Sequence, residues 1–339
     1  MQKRLIGSGM EISAVGLGCM GLSHAFGTPL EKSDAADKVR QAYEMGYTFF
    51  DTAECYTGTN DDGSIAVNEE VVGDGIHTFR DKITLATKCG VQFADGKMLL
   101  DSRPETIRKS IEGSLRRLRT DYVDLYYQHR IDPQVEPEVV AETMSQLIRE
   151  GKIRSWGISC ANEDYLRRAH AVCPVTAVQN IYSMIDRDTE KLFDTFEELN
   201  IALVAYTPLA KGFLSGKYTE RPQFDHPEDN RSGRYQFSAE GFAEYQAVID
   251  LIRATAEQKN ATPAQISLAW MLNKKPWIIP IPGTRSVERM QENLNASDII
   301  LSAEELHSLD DALNRLDLVD TALARSRKWE GKKEIVQIK

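Results

Sequence analysis

The chain has 339 residues, is 42% hydrophobic and 27% charged, and carries a formal net charge of −10. These proportions suit a folded globular protein of one large or two medium domains. An acidic balance with no basic stripe excludes nucleic acid as a general partner, and no apolar run approaches the ~20 residues that cross a bilayer.

The first residues, MQKRLIGSGMEIS, lack the apolar core of a signal peptide, and the five cysteines form neither CxxC pairs nor an even framework. A cytoplasmic protein is expected. Lys3 to Ile12 alternate around Gly7-Ser8-Gly9 and read as a hairpin with a glycine turn. Next, Gly16, Gly18 and Gly21 spell GxGxxG, the dinucleotide fingerprint of a doubly wound fold. That motif needs a helix opening at the glycines and an acidic residue about 20 positions on. Here LSHAFGTPLEKS follows, with Gly27 and Pro29, so the Rossmann reading is rejected. The glycines are kept as places where backbone can pass close to a ligand.

From Ser33 the chain alternates. SDAADKVRQAYEMG reads as a helix capped by Ser33 and Asp34 and closed at Gly46. Tyr47 to Phe50 reads as a buried strand stopping at Asp51, with Tyr56 just beyond it in a long polar loop, and a helix opens near Asn68. ITLATKCG ends a strand at Lys88, and the helix RPETIRKSIEGSLRRLR follows with Pro104 in its first turn. YVDLYYQH ends a strand at His129, before the helix PEVVAETMSQLIREG. IRSWGIS, AVQNIYS, ALVAYTP and WIIPI are further strands, with helices NEDYLRRAHAV, TEKLFDTFEELN, Ala239 to Lys259, Pro263 to Leu272 and VERMQENLNA between and after them. About eight strand–helix units of short apolar strands predict a single α/β domain, a (β/α)8 TIM barrel. Its core spans about 10–315, with the hairpin before it and an extra C-terminal helix and tail (316–339) after it.

In such a barrel the active site lies at the C-terminal ends of the strands. Asp51, Lys88, His129, Ser159, Gln179, Tyr206 and Gly283 each stand at or near such an end. Any one of them alone reads as a buried ion pair or a satisfied core polar group; the recurrence points to a site. Asp51, Tyr56, Lys88 and His129 supply an acid, a phenol, an amine and an imidazole, enough to move a proton to a carbonyl oxygen. Lysine beside tyrosine is expected to lower the phenol's pKa from about 10, and to make imidazolium harder to form.

With these residues in hand, the chain resembles the aldo-keto reductases from the hairpin to beyond Asn293. The motifs that carry the resemblance are GLGCMG, FFDTAECY, ATKCG, DLYYQHRID, GIS, VQNIYS, AYTPLAKGFLSG and IPGTRSVERMQENL. The resemblance implies NADPH-dependent reduction of small aldehydes and ketones, with Tyr56, Asp51, Lys88 and His129 as the catalytic tetrad and no metal. It also implies that Gly18, Cys19, Met20 and Gly283 lie along the cofactor. Ser159 and Gln179 would hold the carboxamide, and the Tyr206 ring would stack on the nicotinamide. Thr207, Leu209 and Gly212 would line the pyrophosphate, Thr284, Arg285, Ser286 and Arg289 the 2′-phosphate, and Glu292 and Asn293 the adenine.

Two positions depart from the pattern. Gly283 stands where part of the family has a phosphate-contacting lysine, which shifts weight to Arg285 and Arg289. Cys160 replaces an asparagine beside Ser159, a loss that Asn180 could offset. The loop from Pro208 to Phe237 is long enough to clamp the cofactor, with Phe224, Tyr235 or Phe237 over the substrate. Trp329 is a candidate for the pocket mouth or an oligomer contact, against a solvated tail rich in Lys and Arg. Cys19, Cys55, Cys89 and Cys160 fit no zinc spacing and read as small residues around the cofactor, and Lys88 is expected to lower the thiol pKa of Cys55 or Cys89. The alternative function is a redox-sensing subunit resembling the potassium-channel β-subunits, marked by stoichiometric but not catalytic NADPH oxidation.

Overall fold

The computed structural model describes residues 2–316 apart from 8, 95 and 96. The tail with Trp329 lies outside the described residues. The strands, in chain order, are β1 (Lys3–Ile6), β2 (Met10–Ser13), β3 (Leu17–Gly18), β4 (Phe49–Asp51), β5 (Thr57–Thr59), β6 (Ile65–Val67) and β7 (Thr84–Cys89). They continue with β8 (Val91–Ala94), β9 (Lys97–Leu100), β10 (Val123–Gln128), β11 (Ile153–Ser159), β12 (Ala177–Ile181), β13 (Ala202–Tyr206) and β14 (Ile278–Pro280). Eight of them pair in parallel in the order β3, β4, β7, β10, β11, β12, β13, β14, with helices between. The strands are buried on both faces, which is why they read as continuous apolar runs.

The sheet is a (β/α)8 barrel, and glycine makes its seam. Gly16 N donates to Pro280 O (3.0 Å) and Gly18 N to Pro282 O (3.3 Å), which joins the first strand to the last. A Cβ on Gly16 would stand 2.5 Å from the Phe49 ring, one on Gly18 2.7 Å from Ile281 O, and one on Gly283 2.6 Å from Gly18 O. Side chains are excluded there by space. GxGxxG is therefore the closing edge of a barrel, and Gly283 cannot be exchanged for lysine without moving that edge.

The hairpin β1–β2 plugs the other end. Ile6 and Ile12 join the barrel's inner cluster with Phe49, Ala86, Leu125, Tyr127, Ala177, Val204 and Ile279, and Arg4 donates to the carbonyls of Leu272, Lys275 and Ile278.

Some local expectations change. The first helix is Lys32–Met45, so Ser33 lies inside it; Glu31 holds the cap position without a side-chain bond, and Asp34 sits in the first turn, where the helix dipole favours an acid. Gly46 ends it in the left-handed region (φ 109°), as the spacing implied. The helix expected from Ala239 to Lys259 breaks at Tyr245, whose buried ring packs edge-on to Phe213. The long polar loop after Asp51 contains the antiparallel pair β5–β6. A second hairpin, β8–β9, rises directly from the Lys88 strand. Its signal was present in the chain, since Asp95-Gly96 stands between VQFA and KMLL.

Candidate active site

Alternation with period two decides which side chains reach the barrel's interior. Phe49, Ala86, Tyr127, Gly157, Ala177 and Val204 point inward in one layer; Asp51, Lys88, His129, Ser159, Gln179 and Tyr206 each stand two residues further on, toward the C-terminal ends. The inner layer is apolar or bare and the next is polar. Gly157 leaves the room that the Tyr127 ring occupies, for a Cβ there would approach it to 2.5 Å.

The polar layer converges on Lys88, whose side chain is wholly buried. Its Nζ donates to Asp51 Oδ1 (2.6 Å), to Thr52 O (2.7 Å) and to Tyr56 Oη (3.2 Å). Gln179 Nε2 donates to the other Asp51 oxygen (2.8 Å). Burial pulls Lys88 down, but Asp51 and Tyr56 together pull harder and hold its pKa above the ordinary lysine value. Burial raises Asp51, opposed by Lys88 and Gln179. For Tyr56 burial also wins: its pKa lies above that of a free phenol although Lys88 pulls it down. This corrects the expectation of a net lowering. His129 goes as expected, held well below its usual value by burial, Lys88 and Arg130.

The thiols are likewise corrected. Burial pushes Cys55 up to about 12 and Cys89 higher still, against the field of Lys88 at Cys55. Cys55 Sγ lies 3.4 Å from His129 Nδ1, while the Cys89 thiol faces Tyr127 O. Asn180 does not stand in for the missing asparagine: it is spent on the backbone of Ala161 and does not line the cavity.

Above this floor opens a cavity of about 980 Å³. Tyr56, Asp51 and His129 line it, as do Gly18, Met20, Ser159, Gln179, Tyr206, Thr207, Leu209, Gly212, Gly283, Thr284, Arg285, Ser286, Arg289, Glu292 and Asn293. Cys19 does not; it is buried with its thiol toward Leu17 O. Lys88 sits behind Asp51 and Tyr56.

After β13 the chain turns through left-handed backbone at Thr207 (φ 52°), Ala210 (47°), Lys211 (60°) and Gly212 (91°). Non-glycine residues adopt that region rarely, and such strain collects at ligand sites. Thr207 Oγ1 is buried there with no partner among the described residues. Arg285 donates to Gly21 O (2.6 Å) and Thr28 O (2.9 Å), and its Nη2 is also buried with no partner among the described residues. Arg289 is exposed in the first turn of the helix Val287–Asn295, which Ser286 caps.

The aromatic residues expected over the substrate are placed elsewhere. Phe224 and Phe237 pack on each other at 4.9 Å, Tyr235 donates to Glu244 (2.5 Å), and none lines the cavity. They form the small core that lets the long loop hold a shape. Lys217, Tyr218, Arg231 and Arg234 of that loop reach the cavity instead. Among the lining residues missed by sequence reading are His24, Phe93, Met98 and Arg130. His24 stacks on Tyr56 with centroids 5.7 Å apart, and Phe93 and Met98 face each other across the β8–β9 hairpin.

Glu54 stands behind the site, accepting from Gly90 N and Ser110 Oγ (both 3.1 Å), and burial pushes its carboxyl up to about 7. A raised folded pKa favours the protonated form, so this contribution is full below pH ~4.5 and is lost as pH rises through about 7. Glu54→Gln mimics the protonated acid. Denaturant unfolding should find it more stable than the parent by roughly 2–3 kcal/mol at pH 8 and nearly equal at pH 4.5.

The sequence profile of the Aldo/keto reductase family matches residues 14–314. A probable aldo-keto reductase 1 from Glycine max is 37% identical over 312 residues, covering 90% of this chain and 86% of its own. The glycerol dehydrogenase of Gluconobacter oxydans superposes with a TM-score of 0.82 at 27% identity, covering 93% of this chain and 96% of its own. An aldo/keto reductase from Klebsiella pneumoniae, solved in complex with NADP and acetate, superposes with a TM-score of 0.69 at 28% identity, covering 94% and 100%. The parallel eight-stranded barrel is the fold that this chain shares with these solved oxidoreductases. The chain belongs to the aldo/keto reductase family.

Proposed function

We propose that this protein reduces aldehydes and ketones to alcohols with NADPH, Tyr56 giving the proton. The observation that carries the reading is the contact of a buried, charged Lys88 with the Tyr56 hydroxyl on the floor of a cavity roomy enough for a dinucleotide and a small substrate.

The residues present suit the cofactor. In a chain of net charge −10, the described residues line the cavity with Arg130, Lys211, Lys217, Arg231, Arg234, Arg285 and Arg289 against Asp51 and Glu292 as the only acids. The buried orphan atoms Thr207 Oγ1 and Arg285 Nη2 lack a partner that an anionic ligand would supply. Ser159 and the carbonyl of Gln179 would hold the carboxamide, its amide group being committed to Asp51. Tyr206 would face the ring, and Thr207, Leu209 and Gly212 the pyrophosphate. Thr284, Arg285, Ser286 and Arg289 would take the 2′-phosphate, and Glu292 and Asn293 the adenine. NADPH supplies the hydride when bound.

The side chains then manage the oxygen. Charge developing on it meets the Tyr56 hydroxyl, polarised by Lys88, and His129. A Cys55 thiol that keeps its proton can donate to Nδ1, which leaves the neutral imidazole protonated on Nε2 and able to donate to that oxygen. A panel of aldehydes and ketones scored by NADPH oxidation tests the reading; no turnover with any would overturn it.

Because Arg285 is tied to two carbonyls, Arg289 is the guanidinium more open to the 2′-phosphate. A charge-assisted hydrogen bond of this kind contributes roughly 1.5–3 kcal/mol. Fluorescence titration of Arg289→Ala should therefore show NADPH weakened at least tenfold and NADH nearly unchanged. Equal losses would take the 2′-phosphate away from this residue.

A further inference from the structure

Resting on the reductase reading, we infer that Arg130 makes this site selective for carbonyl substrates that also carry an anionic group, a carboxylate or a phosphate, on an apolar body. Arg130 follows His129 in the chain and lines the cavity beside Cys160, Tyr206, Tyr56 and Cys55. One nitrogen, Nη1, donates to His129 O (2.6 Å) and to Ser159 Oγ (3.2 Å). Both acceptors are neutral, and among the described residues no carboxylate pairs with it; the groups that bear on its charge are Cys160, Tyr206, Tyr56 and Cys55.

Other half-buried cations are matched to acids, Arg80 to Asp124, Arg187 to Glu190 and Lys274 to Asp310, while Arg4, which does not line the cavity, spends its donors on three backbone carbonyls. Of the cations that line the cavity, Arg130 is the one beside Tyr56. Nor does the cavity supply the missing charge. Asp51 is held by Lys88 and Gln179, and Glu292, on the helix Val287–Asn295, is not among the groups that bear on Arg130. Nε and Nη2 of Arg130 make no hydrogen bond among the described residues, so the guanidinium retains a two-pronged edge of the kind that takes an oxyanion.

The nearby wall describes the rest of the ligand. His24 stacks on Tyr56, and Phe93 and Met98, 53% and 38% exposed, present apolar surface from the β8–β9 hairpin. A substrate with its carbonyl at Tyr56, its body along these side chains and an anion at Arg130 would use all three. The reaction is the one proposed above; the anion selects and orients and is not consumed.

Matched pairs test this: 2-, 3- and 4-carboxybenzaldehyde against their methyl esters, and 4-formylphenyl phosphate against 4-methoxybenzaldehyde, each with saturating NADPH. For the parent protein, kcat/KM should favour at least one acid over its neutral partner by tenfold or more, and which pair does so tells carboxylate from phosphate. In Arg130→Met that ratio should fall to about one, and in Arg130→Lys, which keeps the charge but not the fork, to an intermediate value. Benzoate should compete with the neutral aldehyde better than benzamide in the parent protein only. No preference in the parent protein, with neutral aldehydes reduced, would overturn the inference and leave the reductase reading standing. Equal loss of acid and ester in Arg130→Met, together with weaker NADPH binding, would also overturn it and assign Arg130 to the cofactor. If neither acids nor neutral carbonyls are reduced, both readings fall.

Discussion

Tyr56→Phe is expected to lower carbonyl reduction by at least ~10²-fold, the usual cost of removing a general acid, while the fold and NADPH affinity survive. The substitution keeps the ring that stacks on His24 and lies 5.7 Å edge-on to His129, and deletes only the hydroxyl that Lys88 touches. His129 is the rival donor, because a free imidazole titrates near 6.5 and suits acid catalysis at neutrality. Burial, Lys88 and Arg130 all push its pKa well down, so at neutral pH it has no second proton to give. Tyr56 is pushed the other way and keeps its proton through the neutral range. A raised pKa does not bar it from the role, since the oxygen produced by hydride transfer becomes an alkoxide, a stronger base than phenolate. Lys88 matters most at that moment, because it stabilises the phenolate left behind. Retention of more than a tenth of parental turnover, with hydride transfer rate-limiting in both proteins, would show that the phenol is not the acid.

Lys88→Met should cost a similar factor in turnover and also destabilise the fold, and the two effects can be separated. Nζ is the cation that compensates a carboxylate only 3% exposed, and it satisfies Thr52 O as well. Breaking a buried pair from one side typically costs about 3–5 kcal/mol, because the remaining charge, here Asp51 with Gln179 still donating to it, has lost its counter-ion. Adding Asp51→Asn removes that charge, so the double variant should recover much of the stability and none of the rate. The pH profile supplies an independent sign. Lys88 pulls the Tyr56 pKa down against burial, so without it the phenol titrates later and any alkaline fall in residual activity should move to higher pH. A double variant that regained activity would reduce Lys88 to a scaffold for Asp51.

What the chain determined by itself is local. Short apolar runs separated by capped helical patterns are enough to specify parallel strands buried on both faces. A polar residue at the end of each run marks one rim of the barrel, because residues two apart on a strand share a side. Asp51, Lys88, His129, Ser159, Gln179 and Tyr206 were legible for that reason, with Tyr56 found by its nearness to Asp51.

What only the tertiary structure decided depends on distance between parts of the chain that no spacing relates. The glycines at 16, 18 and 283 have their reason in a seam joining residues more than 260 apart, where atoms of one edge occupy the space a Cβ would need. Arg130 and Cys55 carry no motif; their importance comes from which groups stand around them once the barrel closes. The direction of the Tyr56 pKa belongs to this class too. The lysine neighbour could be read from the strands, but the desolvation that outweighs it is a property of the folded surroundings.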